Sequence, residues 1–233
     1  MLSLILLPGL ACDAEVWQAQ APVLATRCRL LVSDVHFRFD TLPEMAAALL
    51  AEQPGRHVLA GCSMGGMLAL EMQRQAPQRV AAMALLGSSA RADTPELVRL
   101  RSDAIELFEQ GRMDEVLRAN VMFAFHPQNQ QRRELVDRYL GMIQRAGPAA
   151  LVRQNRAVMA RIDSRPLLPK VDCPVLVACG EADLLTPVEH SVEICEAISG
   201  TRLAVVPGAG HMLTMEQPER VNTLLLGWLA SLR

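Results

Sequence analysis

The sequence predicts an α/β protein: a mostly parallel sheet with helices on both faces, interrupted by a long helical insertion. Up to Leu86, short apolar runs alternate with segments of helical spacing. The runs are apolar at consecutive positions, as strands covered on both faces must be. From Arg91 to about Arg165 no strand-like run occurs at all. Alternation of this kind argues a parallel sheet with helices packed on either side.

The first strand is expected at residues 2–7 and ends in the turn Pro8-Gly9. Its apolar run imitates a secretory leader, but no Lys or Arg precedes it and it is shorter than the ~7–15 apolar residues such a leader needs. It reads as a buried strand. A helix at 14–26 and a strand at 30–33 follow. Next comes a helix at 42–52, opened by the capping box Thr41 and Glu44 with Pro43 in its first turn. Strands at 57–60 and 81–86 flank a helix at 64–76. Helical stretches at 95–109, 113–122, 130–146 and 149–162 then run on, broken at Gly111, His126-Pro127 and Gly147-Pro148. Pro166 and Pro169 close that segment, and a strand at 175–179, a helix at 188–198 and a last strand at 203–206 complete the sheet. Residues 1–90 and 166–233 are thus expected to form the core, and residues 91–165 a helical cap over its active edge.

A chain of 233 residues, 51% hydrophobic and 21% charged, can bury a sizeable core. Its composition excludes a disordered, collagen-like or disulfide-scaffold protein. A net charge of −2 provides no basic footprint for nucleic acid or an anionic membrane. The insertion is mildly basic, with 13 arginines against 10 acidic residues. That suits an acidic substrate, and a solvated helix face explains it equally well. The six cysteines form no C-x-x-C pair and no zinc-like spacing, which suits free thiols in a reducing cytoplasm.

The stretch Gly61-Cys62-Ser63-Met64-Gly65 lies between a predicted strand and a predicted helix, where a G-x-S-x-G motif makes a nucleophile elbow. Ser63 must occupy a sharp, strained turn, and side chains at 61 or 65 would collide with neighbouring chain. A serine hydroxyl needs a base, and the base an orienting acid. Of five histidines, His36 sits in a loop with Phe37 and Phe39, and His57 begins the strand that leads to Ser63, at the sheet's far end. His126 lies within the insertion and His190 within a helix. His211 stands in the turn after the last strand, from where it can reach over the strand ends. It is the expected base. The acid should lie between them in the chain, with Asp183 and Glu181 after the fifth strand as candidates and Asp93 after the fourth as a weaker one. Two backbone amides should meet a tetrahedral intermediate: Met64, after the nucleophile, and Leu10, because Pro8 has no N–H.

With Ser63, Asp183 and His211 in that order, the chain resembles α/β-hydrolase-fold enzymes. It is most similar to the small-capped group of carboxylesterases, enol-lactonases and carbon–carbon bond hydrolases. The matching pieces are Gly61-Cys-Ser63-Met-Gly65-Gly66, Gly180-Glu-Ala-Asp183-x-x-Thr186-Pro187, and Gly210-His211 followed by Glu216-Gln217-Pro218-Glu219. The resemblance spans essentially the whole chain and favours Asp183 over Glu181 as the acid. It implies a six-stranded sheet lacking the family's usual first two strands, with nothing paired outside the second strand present here. Pro8-Gly9 replaces the family's His-Gly, and Asp34-Val-His-Phe-Arg-Phe-Asp40-Thr41 replaces its glycine-rich later turn.

The function implied is hydrolysis of a small carboxylic ester or lactone through a Ser63 acyl-enzyme, with no cofactor and no metal. Carbon–carbon bond hydrolases, thioesterases, lyases and perhydrolases use the same triad, and a non-catalytic ligand-binding receptor can share the fold. Candidate substrate contacts are Met122, Phe123, Phe125 and Tyr139 in the insertion, with Trp17 and Phe37 nearer the sheet. The competing reading is that these side chains simply pack the cap on the core. Neither a nucleic-acid nor a membrane partner is expected. The chain is expected to be a monomer, or a homodimer that covers the open edge near residues 30–33.

Overall fold

The computed structural model describes residues 3–232. Its strands are β1 (Ser3–Leu7), β2 (Arg29–Val32), β3 (His57–Cys62), β4 (Val80–Leu86), β5 (Val175–Gly180) and β6 (Arg202–Val206). They form one parallel sheet of six in the order β2-β1-β3-β4-β5-β6. Every expected strand is present, with residue 2 outside the described residues. The helices are α1 (Ala21–Ala25), α2 (Leu42–Glu52), α3 (Met64–Gln75), α4 (Pro95–Glu109), α5 (Met113–Ala124), α6 (Arg133–Met159), α7 (Val188–Ala197), α8 (Leu213–Glu216) and α9 (Pro218–Ser231).

Successive side chains of a strand face opposite layers, and the core divides accordingly. Leu4, Leu6, Val58, Ala60, Ala82 and Ala84 pack with Leu24 of α1 and with Leu225 and Trp228 of α9. Ile5, Leu7, Leu59, Met83 and Leu85 pack on the other face with α2, α3 and α7 through Met45, Leu49, Leu68, Met72 and Ile194. The chain leaves β1 toward one face and β3 toward the other. The crevice beyond the carboxyl ends of β1 and β3 is therefore a topological switch point, where open α/β sheets bind ligands.

The structure corrects the sequence reading at several places. The helix expected at 14–26 is a 3₁₀ turn, Ala14–Trp17, followed by the short α1. Pro22 forces the break, since inside a continuous helix it lacks an N–H and clashes with the preceding turn. Not every strand is covered on both faces: β2 and β6 are edges, and Leu203 and Val205 are 36% and 43% exposed. Helix α6 runs past the expected break but is kinked there, with Gly147 at φ 77° and ψ 170°. The capping box of α2 is complete, with Thr41 and Glu44 each bonding the other's backbone N–H.

Helices α4–α6 occupy the chain between β4 and β5, and Ile105, Phe108, Leu117, Leu135, Tyr139 and Met142 join the core of the α1/α9 face. A buried ion cluster fastens this segment. Arg101 Nε donates to Asp93 Oδ2 at 2.7 Å, and Arg161 Nη1 lies 2.7 Å from Asp93 Oδ1 as an ion pair. Asp93, the weaker candidate acid, is thus committed to two arginines. Among the described residues no helix is long and apolar enough to cross a membrane. Removing the shared carboxylate in Asp93→Ala strands two partly buried guanidinium groups, so chemical denaturation should reveal a loss of about 3–5 kcal/mol.

Candidate active site

Ser63 links β3 to α3 with φ 50° and ψ −116°, a conformation that a residue with a Cβ adopts only under constraint. Its N–H donates to the Leu86 carbonyl at 2.8 Å, and its own carbonyl accepts from Gly66 N–H at 2.9 Å and from the Ser88 hydroxyl at 2.8 Å. The glycines permit the crowding. A Cβ on Gly65 would lie 2.0 Å from the Leu7 carbonyl oxygen, and one on Gly61 2.3 Å from the Gly65 carbonyl carbon. Ser88 escaped the sequence reading; its only signal was a Gly-Ser-Ser turn after an apolar strand.

Asp183 and His211 follow β5 and β6 and meet at the same end of the sheet. His211 Nδ1 lies 2.9 Å from Asp183 Oδ2 and 3.0 Å from Oδ1. The carboxylate also accepts from the Leu185 and Thr186 amides at 2.9 and 2.8 Å, and from the Thr186 hydroxyl at 2.9 Å. Burial alone would raise the Asp183 pKa, but the His211 charge and these bonds together hold it below the usual carboxylate range. Burial alone would lower the His211 pKa; the Asp183 charge and bond, helped by Glu216, outweigh it and raise the imidazole. With Nδ1–H donated to Asp183, Nε2 is left as the proton acceptor. No hydrogen bond joins the Ser63 hydroxyl to His211, and such bonds are often long before substrate binds.

The end of β4 ties the two halves together. Leu86 and Ser88 hold the Ser63 backbone, while a Cβ on the intervening Gly87 would lie 3.2 Å from Asp183 Oδ2 and 3.5 Å from His211 Nδ1. Glu216 supports the His211 turn from behind. Its Oε1 accepts from Gly210 N–H at 2.7 Å, and its Oε2 from the His126 N–H and Asn129 Nδ2, both at 2.8 Å. Burial pushes the Glu216 carboxyl up in spite of these donors. Glu181 does not bond His211; it accepts from Gly208 N–H at 2.6 Å and faces His126 at 3.5 Å.

Opposite the elbow runs the turn after β1. A Cβ on Gly9 would lie 3.4 Å from Ser63 Cβ, so this turn passes directly over the serine. Among the described residues the Leu10 N–H has no hydrogen-bond partner, and the Met64 N–H opens α3, where amides lack intrahelical acceptors. Both amides are available to an incoming oxygen. Cys12 and Cys62 flank Ser63 but are held as neutral thiols: burial pushes Cys12 up to about 12 and Cys62 well above its ordinary range.

The proposed lining residues separate into groups. Trp17, Phe125 and Tyr139 are buried in one cluster, with Phe125 and Tyr139 edge to face at 5.1 Å and the Tyr139 hydroxyl accepting from Asn120 at 2.7 Å. Phe125 reaches the site through its backbone, since a Cβ on Gly210 would lie 2.7 Å from its carbonyl carbon. Phe37 is half-buried against the ring of His36, with centroids 4.2 Å apart. Met122 and Phe123 are 56% and 43% exposed and stand apart from that cluster. A concavity of about 620 Å³ between α4 and the second half of α6, lined by Phe108, Pro148, Val152 and Arg156, includes none of Ser63, Asp183 and His211. Among the described residues no group of three or more His, Cys, Asp or Glu could hold a metal ion.

The coupling of His211 to Asp183 has a direct spectroscopic consequence. In an NMR titration the His211 ring should change charge above the ordinary imidazole value of about 6.5. Asp183→Asn removes the charge that stabilises the imidazolium, so the midpoint should fall.

Comparison with known proteins agrees with this architecture. A model of the α/β hydrolase family matches residues 4–224. The pimeloyl-[acyl-carrier protein] methyl ester esterase of Edwardsiella ictaluri is 29% identical, over 93% of this chain and 88% of its own. A thermophilic esterase from Thermogutta terrifontis superposes with a TM-score of 0.91 at 27% identity, covering 100% of this chain and 90% of its own. The enol-lactonase of Burkholderia xenovorans superposes with a TM-score of 0.86 over 98% of this chain and 91% of its own, at 22% identity a likeness of fold alone. The order of the strands, the strained Ser63 turn and the match over residues 4–224 give one conclusion: the chain belongs to the α/β hydrolase family.

Proposed function

We propose that the protein is a serine hydrolase that cleaves a small carboxylic ester or lactone through an acyl-enzyme on Ser63. The observation that carries this reading is the Asp183–His211 pair, bonded at 2.9 Å and packed through Gly87 beside the strained Ser63 turn. The Ser63 oxygen attacks the substrate carbonyl as His211 Nε2 takes its proton. Asp183 fixes the tautomer and balances the imidazolium. The negative oxygen of the tetrahedral intermediate is met by the Met64 and Leu10 amides. Collapse expels the alcohol, protonated by His211, and leaves the acyl group on Ser63. A water molecule, deprotonated by His211, then releases the carboxylic acid and returns the proton to Ser63.

Residues 91–165 act as a helical cap on the core of residues 1–90 and 166–233. Phe125, Tyr139 and Trp17 form the apolar wall beneath it, and Phe37 lies nearer the sheet. Esterases among the relatives, at 27% and 29% identity, favour ester chemistry over other uses of the triad. Both cysteines beside Ser63 are neutral at pH 7, which leaves the serine as the nucleophile. Free cysteines throughout the described residues suit a cytoplasmic enzyme. It works as a monomer or a homodimer, without cofactor, nucleic acid or membrane.

Turnover of p-nitrophenyl esters from acetate to decanoate tests this, with the chain-length optimum reporting the size of the acyl site. Ser63→Ala and His211→Ala should each lower kcat by about 10⁴-fold or more, and the double variant should lose nothing further because the groups act as a unit. Additive losses, or wild-type rates in Ser63→Ala, would overturn the reading.

A further inference from the structure

The turn that carries the Leu10 amide is held by a residue from outside the sheet. Gln154, in the second half of α6, is fully buried and uses both ends of its side-chain amide. Its Oε1 accepts from the Ala11 N–H at 2.6 Å, and its Nε2 donates to the His36 carbonyl at 2.9 Å. The His36 ring then reaches back, with Nε2 2.8 Å from the Cys12 carbonyl. Burial lowers the His36 pKa, so a neutral ring with its proton on Nε2 makes that bond.

The segment so held needs holding. Ala11 has φ 57°, left-handed for a residue with a Cβ, and such a conformation persists only where its surroundings enforce it. The Ala11 amide is given to Gln154 and the Cys12 amide closes the turn on the Gly9 carbonyl at 3.1 Å, while the Leu10 N–H next to them has no partner among the described residues. Gln154 and Ala11 are 143 positions apart in the chain, so the contact exists only while α6 is docked on the sheet.

From this geometry we propose that Gln154, backed by His36, is a positioning residue for the oxyanion: it fixes the Ala11 peptide and thereby aims the neighbouring Leu10 N–H. The helical segment thus completes a site whose reacting groups all belong to the sheet. This rests on the acyl-transfer reading above. A group that acts this way stabilises the tetrahedral state rather than the bound substrate, so its loss lowers kcat and leaves KM in place.

The test compares wild type, Gln154→Met, His36→Leu and His36→Gln. The readouts are p-nitrophenyl butyrate kinetics, the affinity of a boronic acid that forms a tetrahedral adduct on Ser63, and circular dichroism as a check of folding. Gln154→Met should lower kcat about 10–100-fold, short of losing a whole oxyanion donor, with KM held within about twofold and boronate affinity falling in parallel. His36→Leu should act in the same direction, and His36→Gln, whose amide nitrogen reaches the position of the ring Nε2, should recover most of that loss. A folded Gln154→Met with wild-type kcat and boronate affinity, or one that raises KM alone, overturns the inference while Ser63-dependent turnover leaves the underlying reading intact. If Gln154→Met fails to fold, the His36 pair decides by the same pattern: loss without recovery in His36→Gln overturns it. A wild type inert to both ester and boronate overturns both readings together.

Discussion

Ser63 is held at φ 50°, and much of the site follows from what it takes to keep a side chain there. The turn is stable only because α3 starts hard against the strand ends, with Gly65 pressed on the Leu7 carbonyl so closely that no Cβ fits. That contact brings the end of β1 beside the end of β3, and with it the turn over the serine. The Leu86 carbonyl and the Ser88 hydroxyl fix the other side. Gly87, between them, leaves room for the Asp183–His211 pair. The strained residue therefore sits where the ends of five strands, β1, β3, β4, β5 and β6, come together.

The buried polar groups around this point are paired across long stretches of chain. Asp183 receives the Leu185 and Thr186 amides as well as His211, so a carboxylate that burial would neutralise stays ionised. Glu216 gathers the Gly210 amide together with His126 and Asn129, which lie between α5 and α6. Gln154 takes the Ala11 amide, and Asp93 takes Arg101 and Arg161. At two of these places, Glu216 and Gln154, the helical segment is bonded to the rest of the chain by groups that would be costly to leave unpaired, while the Asp93 cluster ties the segment's own ends together. Its attachment and the geometry of the site are the same set of interactions.

Much of this was legible in the sequence, for reasons that vary with the residue. Strands covered on both faces read as unbroken apolar runs, and the edges β2 and β6 read the same way in sequence although the structure leaves most of their residues partly exposed. The serine turn announces itself through Gly61 and Gly65, whose absence of side chains is itself the requirement. His211 follows from its place after the last strand. Asp183 and Glu181, two positions apart on one turn, could not be separated by spacing, and the choice needed the family likeness; in the structure they face different partners. Gln154 and Ser88 were invisible, since a lone glutamine in a helix and a serine in a turn carry no signal until the fold brings their partners near. Met122 and Phe123 illustrate the converse: apolar identity suggested a lining role, and the end of α5 leaves both half outside.

The most direct test of the central claim is to trap the acyl group. The protein is mixed with p-nitrophenyl acetate, quenched in acid during turnover, digested and mapped by mass spectrometry. The expected result is an acetyl group on the Ser63 hydroxyl, absent from Ser63→Ala and slow to accumulate in His211→Ala. Acetylation of Cys12 or Cys62 instead, or turnover with no acylated peptide at any point, would contradict a serine nucleophile at this turn.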